Sequence, residues 1–221
     1  MKIPLSARLL ACASFVHEGD RVADIGCDHG YLGIHLLKSG IARSMIEADI
    51  NEGPLQSALT NAHKYGVADK MSFYLSDGVK NIPRDFDTLV CAGMGADTMM
   101  HILDDAPWMK DGKYRLVLQC QSKTPTLRRY LSDNGWRITE ESVLRDGKFL
   151  YTVMEVRFEP DAPRLTAGQC YISPALRKRN DPDLKEYYDR IADGLRLAVQ
   201  HQGDEEKKAI LTELEAMEEM L

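Results

Sequence analysis

No apolar run in the chain of 221 residues approaches the roughly 18 residues of a membrane span. The opening Met1-Lys2-Ile3-Pro4-Leu5-Ser6-Ala7-Arg8 carries no apolar core of a secretory signal. The five cysteines are odd in number, lie far apart and form no CxxC pair. That excludes a disulfide framework and a thiolate zinc site, and it points to reduced thiols in the cytoplasm with no metal. An excess of basic residues is missing too: the net charge is −6, which argues at first against a nucleic-acid partner. The distribution weakens that exclusion, because residues 204–221 hold seven acids and two bases and the remainder carries only −1. Residues 121–150 hold six bases against four acids, and residues 162–203 seven against five, so locally positive faces are available. A hydrophobic share of 44% and a charged share of 28% are those of a soluble globular protein. The length suits one full domain and a small appendage.

The chain is organised around Val22-Ala23-Asp24-Ile25-Gly26-Cys27-Asp28-His29-Gly30-Tyr31-Leu32. A β-branched, apolar run ends in Asp24, a glycine-bearing turn follows, and Leu32, Leu36 and Leu37 begin a helical period. This is the first unit of an open α/β sheet, whose ligands sit at the carboxyl ends of the strands. The dinucleotide fingerprint is absent: Asp28 stands where a pyrophosphate needs bare N–H groups. Two carboxylates flanking Gly26 suit a cationic ligand, and S-adenosylmethionine carries a sulfonium and an ammonium. The plain alternative is that Asp24 or Asp28 merely caps the next helix.

Taken in order, residues 5–16 have a helical period that leads through the turn Glu18-Gly19-Asp20 into the first strand, the run ending in Asp24, and further strands are expected at 44–49, 71–75, 88–92 and 114–119. Helices are expected near 32–37, from Pro54 to Gly66, over 98–103 and over 126–134. Two late strands, 136–143 and 149–158, are joined through Asp146-Gly147, a hairpin turn. The pattern predicts an α/β fold with a seven-stranded, mostly parallel sheet, the hairpin adding an antiparallel strand at one edge; by analogy that hairpin makes the sheet similar to those of Rossmann-like methyltransferases rather than of dehydrogenase domains. Pro160, Pro163, Gly168, Pro174 and Pro182 predict an irregular stretch over 159–182. Beyond it, Leu184, Tyr188, Ile191, Leu195 and Ala198, then Ile210, Leu214, Met217 and Leu221, repeat at alternating spacings of 4 and 3. With Gly203 as a stop and Asp204 as an N-cap between them, these form a small coiled-coil-like helical hairpin. The domains are therefore 1–158, binding the cofactor, and 159–221, the C-terminal hairpin.

Acids stand at three successive strand ends: Asp24 or Asp28, then Asp49, then Asp77. Asp49 lies 23 residues after Gly26, the distance at which an acid holds a ribose by its hydroxyls. Ile50 can lie against an adenine ring, and Asp77 beside Gly78 can accept from its exocyclic amine. An isolated Asp at a strand end is most often a turn former, but three in step read an adenosine with a cationic tail. Gly30 lies in the cofactor loop with His29 and Tyr31, either of which can line the pocket or serve as a packing residue. Gly93-Met94-Gly95 ends the fourth strand and faces the acceptor, with Met94 as a soft surface for a base; the alternative is a tight turn with a core Met. Cys27, Cys91 and Cys120 lie at or beside strand ends and read as small buried thiols, since no activating base accompanies them.

These residues carry a resemblance. Asp24-Ile25-Gly26-x-Asp28-His29-x-Tyr31-Leu32, Ala48-Asp49-x-Asn51-x-Gly53-Pro54-Leu55, Asp77-Gly78, Ala92-Gly93-Met94-Gly95, Leu118-Gln119 and Gly135-Trp136 are similar to the bacterial tRNA (adenine-22-N1)-methyltransferase family across the whole chain. The chain departs from that pattern at Gly30, Gly33 and Ala96, where the family commonly has Ala, Pro and Gly, and at Gln119-Cys120-Gln121, where it has Gln-Pro-Asn. The resemblance implies transfer of a methyl group from S-adenosylmethionine to N1 of an adenine in the tRNA D-arm. It implies Asp28, Gly93 and Met94 on the acceptor side and Asp24, Gly26, Asp28, His29, Gly30, Tyr31, Asp49, Ile50, Asp77, Gly78 and Gly93 around the cofactor. Arg8, Lys123, Arg128, Arg129, Arg177, Lys178 and Arg179 are the candidates for RNA phosphates, any one of which is otherwise a solvated surface charge. A cytoplasmic monomer is expected. The competing readings are a methyltransferase acting on another RNA, a protein or a small molecule, and a non-catalytic RNA-binding relative. A dehydrogenase is opposed by Asp28.

Overall fold

A computed structural model describes residues 2–179, 181–202 and 204–218. In chain order the elements are α1 (Ala7–Ala13), β1 (Asp20–Ile25), α2 (Tyr31–Lys38), β2 (Ala42–Asp49), α3 (Glu52–Tyr65), β3 (Met71–Leu75), β4 (Thr88–Met94) and α4 (Ala96–Asp104). Then come β5 (Arg115–Cys120), α5 (Thr124–Asp133), β6 (Trp136–Asp146), β7 (Phe149–Phe158), α6 (Pro174–Arg179), α7 (Leu184–Gln202) and α8 (Glu205–Glu218).

The seven strands form one sheet in the order β3-β2-β1-β4-β5-β7-β6. The strand order reverses between β1 and β4, which start crossovers in opposite directions and leave a crevice at their carboxyl ends, the place where open α/β sheets bind ligands. Only β7 runs antiparallel, and it lies between β5 and β6 rather than at an edge. The tight turn at Gly147, with φ of 60°, folds β7 back on β6; β7 pairs with β5, and β6 is the outer strand.

Each face of the sheet has its own core. Ile25, Leu89, Leu116 and Met154 meet α4 and α5 on one side; Val22, Met45, Val90 and Val117 meet α1, α2 and α3 on the other. β4 and β5 are nearly continuous apolar runs because they are covered on both faces, whereas β1 is apolar only at Val22, Ala23 and Ile25. The helical hairpin has a third core, in which Leu184, Tyr188, Ala192 and Leu195 of α7 close on Ile210, Leu214 and Met217 of α8. The same cluster takes in Val143 of β6 and Leu176 of α6, so the root of the hairpin rests on the edge strand. Asp204 caps α8 by accepting from the Lys207 N–H at 3.1 Å. The expected stop at Gly203 and the last seam position, Leu221, lie outside the described residues.

Two segments differ from expectation. The stretch 159–182 contains α6, which starts at Pro174, a residue suited to a first helical turn. Strand β4 continues past Ala92 to Met94, with Gly93, at φ of 86°, left out of the register against β5 as a bulge. Among the described residues no helix is long and apolar enough to cross a membrane, and no group of His, Cys, Asp or Glu side chains has the geometry of a metal site.

Candidate active site

The turn between β1 and α2 is wound tightly. Gly26, Asp28 and Gly30 all have positive φ, at 75°, 51° and 67°, and Asp is among the few side-chain residues that adopt this conformation. The turn is tied to β2 by Gly26 and Cys27, whose N–H groups donate to the Ala48 carbonyl at 2.8 and 3.1 Å. A Cβ at position 26 would lie 2.4 Å from the Met94 Cε, so Met94 lies across the glycine.

Behind this turn is a cavity of about 220 Å³. Asp24, Asp28 and His29 bring it carboxylates and an imidazole, Gly26 and Gly93 bring bare backbone, and Tyr31 brings a ring. Its cation is Arg8, from the first turn of α1. The sequence suggests Arg8 as an RNA contact at the rim, and the structure corrects that placement. Its Nη1 donates to the Gln119 Oε1 at 3.0 Å, and the same oxygen accepts the Gly93 N–H at 3.1 Å. Gln119 is fully buried, so one amide fixes both the guanidinium and the bulge that shapes the cavity wall. Sequence reasoning misses this pair. A usable signal is present: a positive charge in the first turn opposes the helix dipole and calls for another reason to be there.

Asp24 is almost entirely buried, and its carboxyl is pushed up to about 7, first by burial and then by the neighbouring Asp49 carboxylate. Asp28 is open at the cavity mouth, with His29 Nε2 3.6 Å from its carboxylate. Asp49 ends β2 with its side chain turned back on the loop, accepting from the Asn51 N–H at 2.9 Å and the Asp28 N–H at 3.4 Å. Beside it, Ile50 is 63% and Leu75 47% exposed, an apolar ledge on the carboxyl edge. Asp77 lies further along that edge, where the Lys80 ammonium holds it below the usual carboxylate range. Gly78 lies under Ile102 of α4, 3.0 Å from where a Cβ would sit. The predicted cofactor residues thus divide into a group that lines the cavity with Asp24 and a group along the carboxyl edge from the buried Asp49 through the exposed Ile50 to Asp77 and Gly78.

The acceptor side consists of two loops bonded together. Gln121 N–H donates to the Met94 carbonyl at 2.9 Å, and Ala96 N–H to the Ser122 carbonyl at 3.2 Å. The exposed Gln121 amide lies beside Gly93. All five cysteines are free and buried, and burial pushes Cys12, near Asp24, up to about 12. Thiols in that state are not nucleophiles.

Arg128 is a second correction. It is fully buried and cannot meet RNA. Its Nη2 and Nε donate to Glu141 Oε1 at 2.7 and 3.1 Å, and its Nη1 to the carbonyls of Tyr171 and Cys170 at 2.7 and 3.0 Å. Arg129, Lys123 and Lys178 are exposed, although Lys123 pairs with Asp97 at 2.7 Å. Arg177 is half-buried, and Arg179 reaches Glu140 at 3.3 Å and covers the Phe15 ring, beyond the end of α1 that is remote from Arg8.

The cavity fits a zwitterionic amino-acid tail, because carboxylates and one guanidinium face the same space. The ledge and Asp49 fit a nucleoside. That combination matches the cofactor expected from the strand ends.

Residues 5–154 match the family model described as a methyltransferase domain. The chain is 30% identical over 186 residues to the tRNA (adenine(22)-N(1))-methyltransferase of Bacillus subtilis, covering 81% of this chain and 78% of that protein. A Streptococcus pneumoniae protein assigned as a tRNA (m1A22) methyltransferase superposes with a TM-score of 0.85 at 30% identity, over 98% of this chain and 99% of that one. The same pneumococcal protein in complex with S-adenosyl-L-methionine superposes at 0.83, with the same identity and coverage. The chain belongs to the tRNA (adenine(22)-N(1))-methyltransferase family, enzymes of the S-adenosylmethionine-dependent, Rossmann-like class.

Proposed function

We propose that this protein methylates N1 of adenine 22 in tRNA, as the name of its Bacillus subtilis relative states for that enzyme. The observation that carries the reading is the junction at Gly93, where the cavity wall passes directly into the two bonded loops at 93–95 and 121–123. A base entering over these loops meets the methyl-donor side of the cavity.

Bound there, S-adenosylmethionine supplies an electrophilic methyl group. Asp24 would hold its ammonium, Arg8 its carboxylate, and Asp49 with Ile50 its nucleoside; Gly26, Gly30 and Gly78 would leave room for the approach, and His29, Tyr31 and Asp77 would line it. N1 of an unpaired adenine has a free lone pair, so no base need act before transfer. The work of the chain is placement of N1 in line with the methyl group. The base must leave its stack or tertiary pair to expose that edge. The Gly93 carbonyl and the Asp28 carboxylate are the acceptors offered to its exocyclic amine, and either offsets the positive charge that develops on the ring. Met94 and Gln121 border the place of the base.

Lys123, Arg129, Arg177, Lys178 and Arg179 remain the candidates for phosphates. We read the division at 158/159 as a catalytic body and an appended helical hairpin, acting as a cytoplasmic monomer. Asp28→Asn is expected to keep cofactor and tRNA binding but lower turnover about tenfold or more; full turnover would remove Asp28 from the mechanism. Filter retention of tRNA separates this reading from a protein or small-molecule acceptor, and calorimetric titration with the cofactor separates it from a non-catalytic RNA binder.

A further inference from the structure

Glu47 has no part in the site as described, and its surroundings are unusual. It is fully buried, and neither carboxyl oxygen has a hydrogen bond of good geometry among the described residues, although the Cys27 thiol is close enough to act on it. It stands opposite Asp24 in the β1–β2 register, so both side chains share one face of the sheet, on strands about 4.8 Å apart. Helix α2 covers that face and meets Glu47 with Gly33. A Cβ at position 33 would lie 1.9 Å from the Glu47 Oε1 and 3.0 Å from its Cδ. Glycine weakens a helix relative to alanine, and here it keeps room for the glutamate and for the Met45 methyl.

The titratable groups around the two carboxyls are Asp49 from β2, Cys27 from the turn, Cys12 and Arg8 from α1 and Cys91 from β4. Arg8 is bonded to Gln119, β3 contributes Phe73 and α2 contributes Gly33, so among the described residues no cation pairs with Glu47. A carboxylate in such a place is far costlier than the neutral acid. Burial, then Asp24, raises Glu47 well above the usual carboxylate range, and the Cys27 thiol pulls the other way less strongly. A neutral acid is a hydrogen-bond donor, and Asp24 is the acceptor across the strand.

We propose that Glu47 is a positioning residue for the cofactor: it remains a neutral acid and, with the cofactor bound, donates a hydrogen bond to Asp24, holding that carboxylate ionised and turned to the ammonium group. The proton stays on Glu47 throughout. The inference rests on the reading of Asp24 as part of the cofactor cavity.

S-adenosylmethionine is titrated calorimetrically into wild type, Glu47→Gln, Glu47→Leu and Asp24→Asn between about pH 6 and pH 9. Infrared difference spectra of the unloaded proteins are recorded alongside. The amide introduced by Glu47→Gln is also a neutral donor, so this variant is expected to bind within about twofold of wild type. Glu47→Leu is expected to bind about tenfold or more weakly near pH 6.5, and its loss of affinity on acidification should begin at a higher pH. The wild-type spectrum at about pH 8.5, above the range in which Asp24 titrates, should contain a protonated-acid C=O band that Glu47→Gln removes, a readout independent of whether Glu47→Leu folds. Equal weakening in Glu47→Gln and Glu47→Leu, wild-type pH profiles in both, or no such band would each overturn the proposal. Asp24→Asn binding like wild type would overturn the reading of the cavity and this proposal with it. Loss confined to Asp24→Asn would overturn the proposal alone.

Discussion

Replacing Arg128 with Met should destabilise the protein without touching its chemistry. The guanidinium and its partner Glu141 are both fully buried, joined by contacts of 2.7 and 3.1 Å. Met fills much of the volume but leaves Glu141 with the Ser173 hydroxyl, at 2.6 Å, as its remaining donor. The Cys170 and Tyr171 carbonyls lose theirs. Removing one member of a buried pair costs about 3–5 kcal/mol. Against a total stability of about 5–15 kcal/mol this is a large share. With a urea slope near roughly 3 kcal/mol per M, the midpoint should fall by about 1–2 M at unchanged slope. Arg128→Met with Glu141→Leu should recover at least half of the loss, because the stranded charge is gone. Equilibrium urea unfolding followed by circular dichroism measures both. The single variant, kept well below its transition, should retain tRNA binding within about twofold. A wild-type midpoint combined with weakened tRNA binding would refute the assignment of Arg128 as an internal lock between α5, β6 and the hairpin root.

Three further outcomes follow from the site. Arg8→Ala should raise the KM for S-adenosylmethionine about ten- to a hundredfold, through loss of one charged contact of about 1.5–3 kcal/mol, and leave the tRNA Kd unchanged; a change confined to tRNA would return Arg8 to the rim. Asp24, raised to about 7 in the fold, holds a proton there that the unfolded chain has released, so its contribution to stability is full below the ordinary Asp range and is lost as pH rises through 7. Unloaded Asp24→Asn should therefore be more stable than wild type at pH 8 and lose that advantage below about pH 4, read from urea midpoints at each pH. If Lys178 contacts a phosphate, Lys178→Ala should reduce the slope of log affinity against log salt by roughly 0.7–0.9, and an unchanged slope would remove it from the interface.

The strand ends are the most legible part of the molecule. Asp24 and Asp49 lie at the carboxyl ends of β1 and β2 and Asp77 just beyond β3, and the covering of β4 and β5 on both faces makes their apolar runs easy to read. The position of β7 between β5 and β6 is not legible, because the hairpin turn determines which strands pair with each other but not which of them meets the sheet. Helix α6 is hidden by its own Pro174, which reads as a breaker in sequence and serves as a helix start in space. Arg128 reads as a surface charge, since a helical period shows which residues share a face but not that Glu141, 13 positions on, supplies a buried partner. Glu47 reads as the polar end of a strand, and its burial depends on Gly33, whose missing side chain has no meaning until α2 is laid over β2.

The central claim is tested most directly by incubating the protein and S-adenosylmethionine with two tRNA transcripts, one bearing A and the other G at nucleotide 22, the position in the name of the Bacillus subtilis relative. Both are then digested to nucleosides for mass spectrometry. The account predicts 1-methyladenosine from the A-bearing transcript and none from the other. Equal 1-methyladenosine from both, or methyl transfer to a different atom, would contradict it.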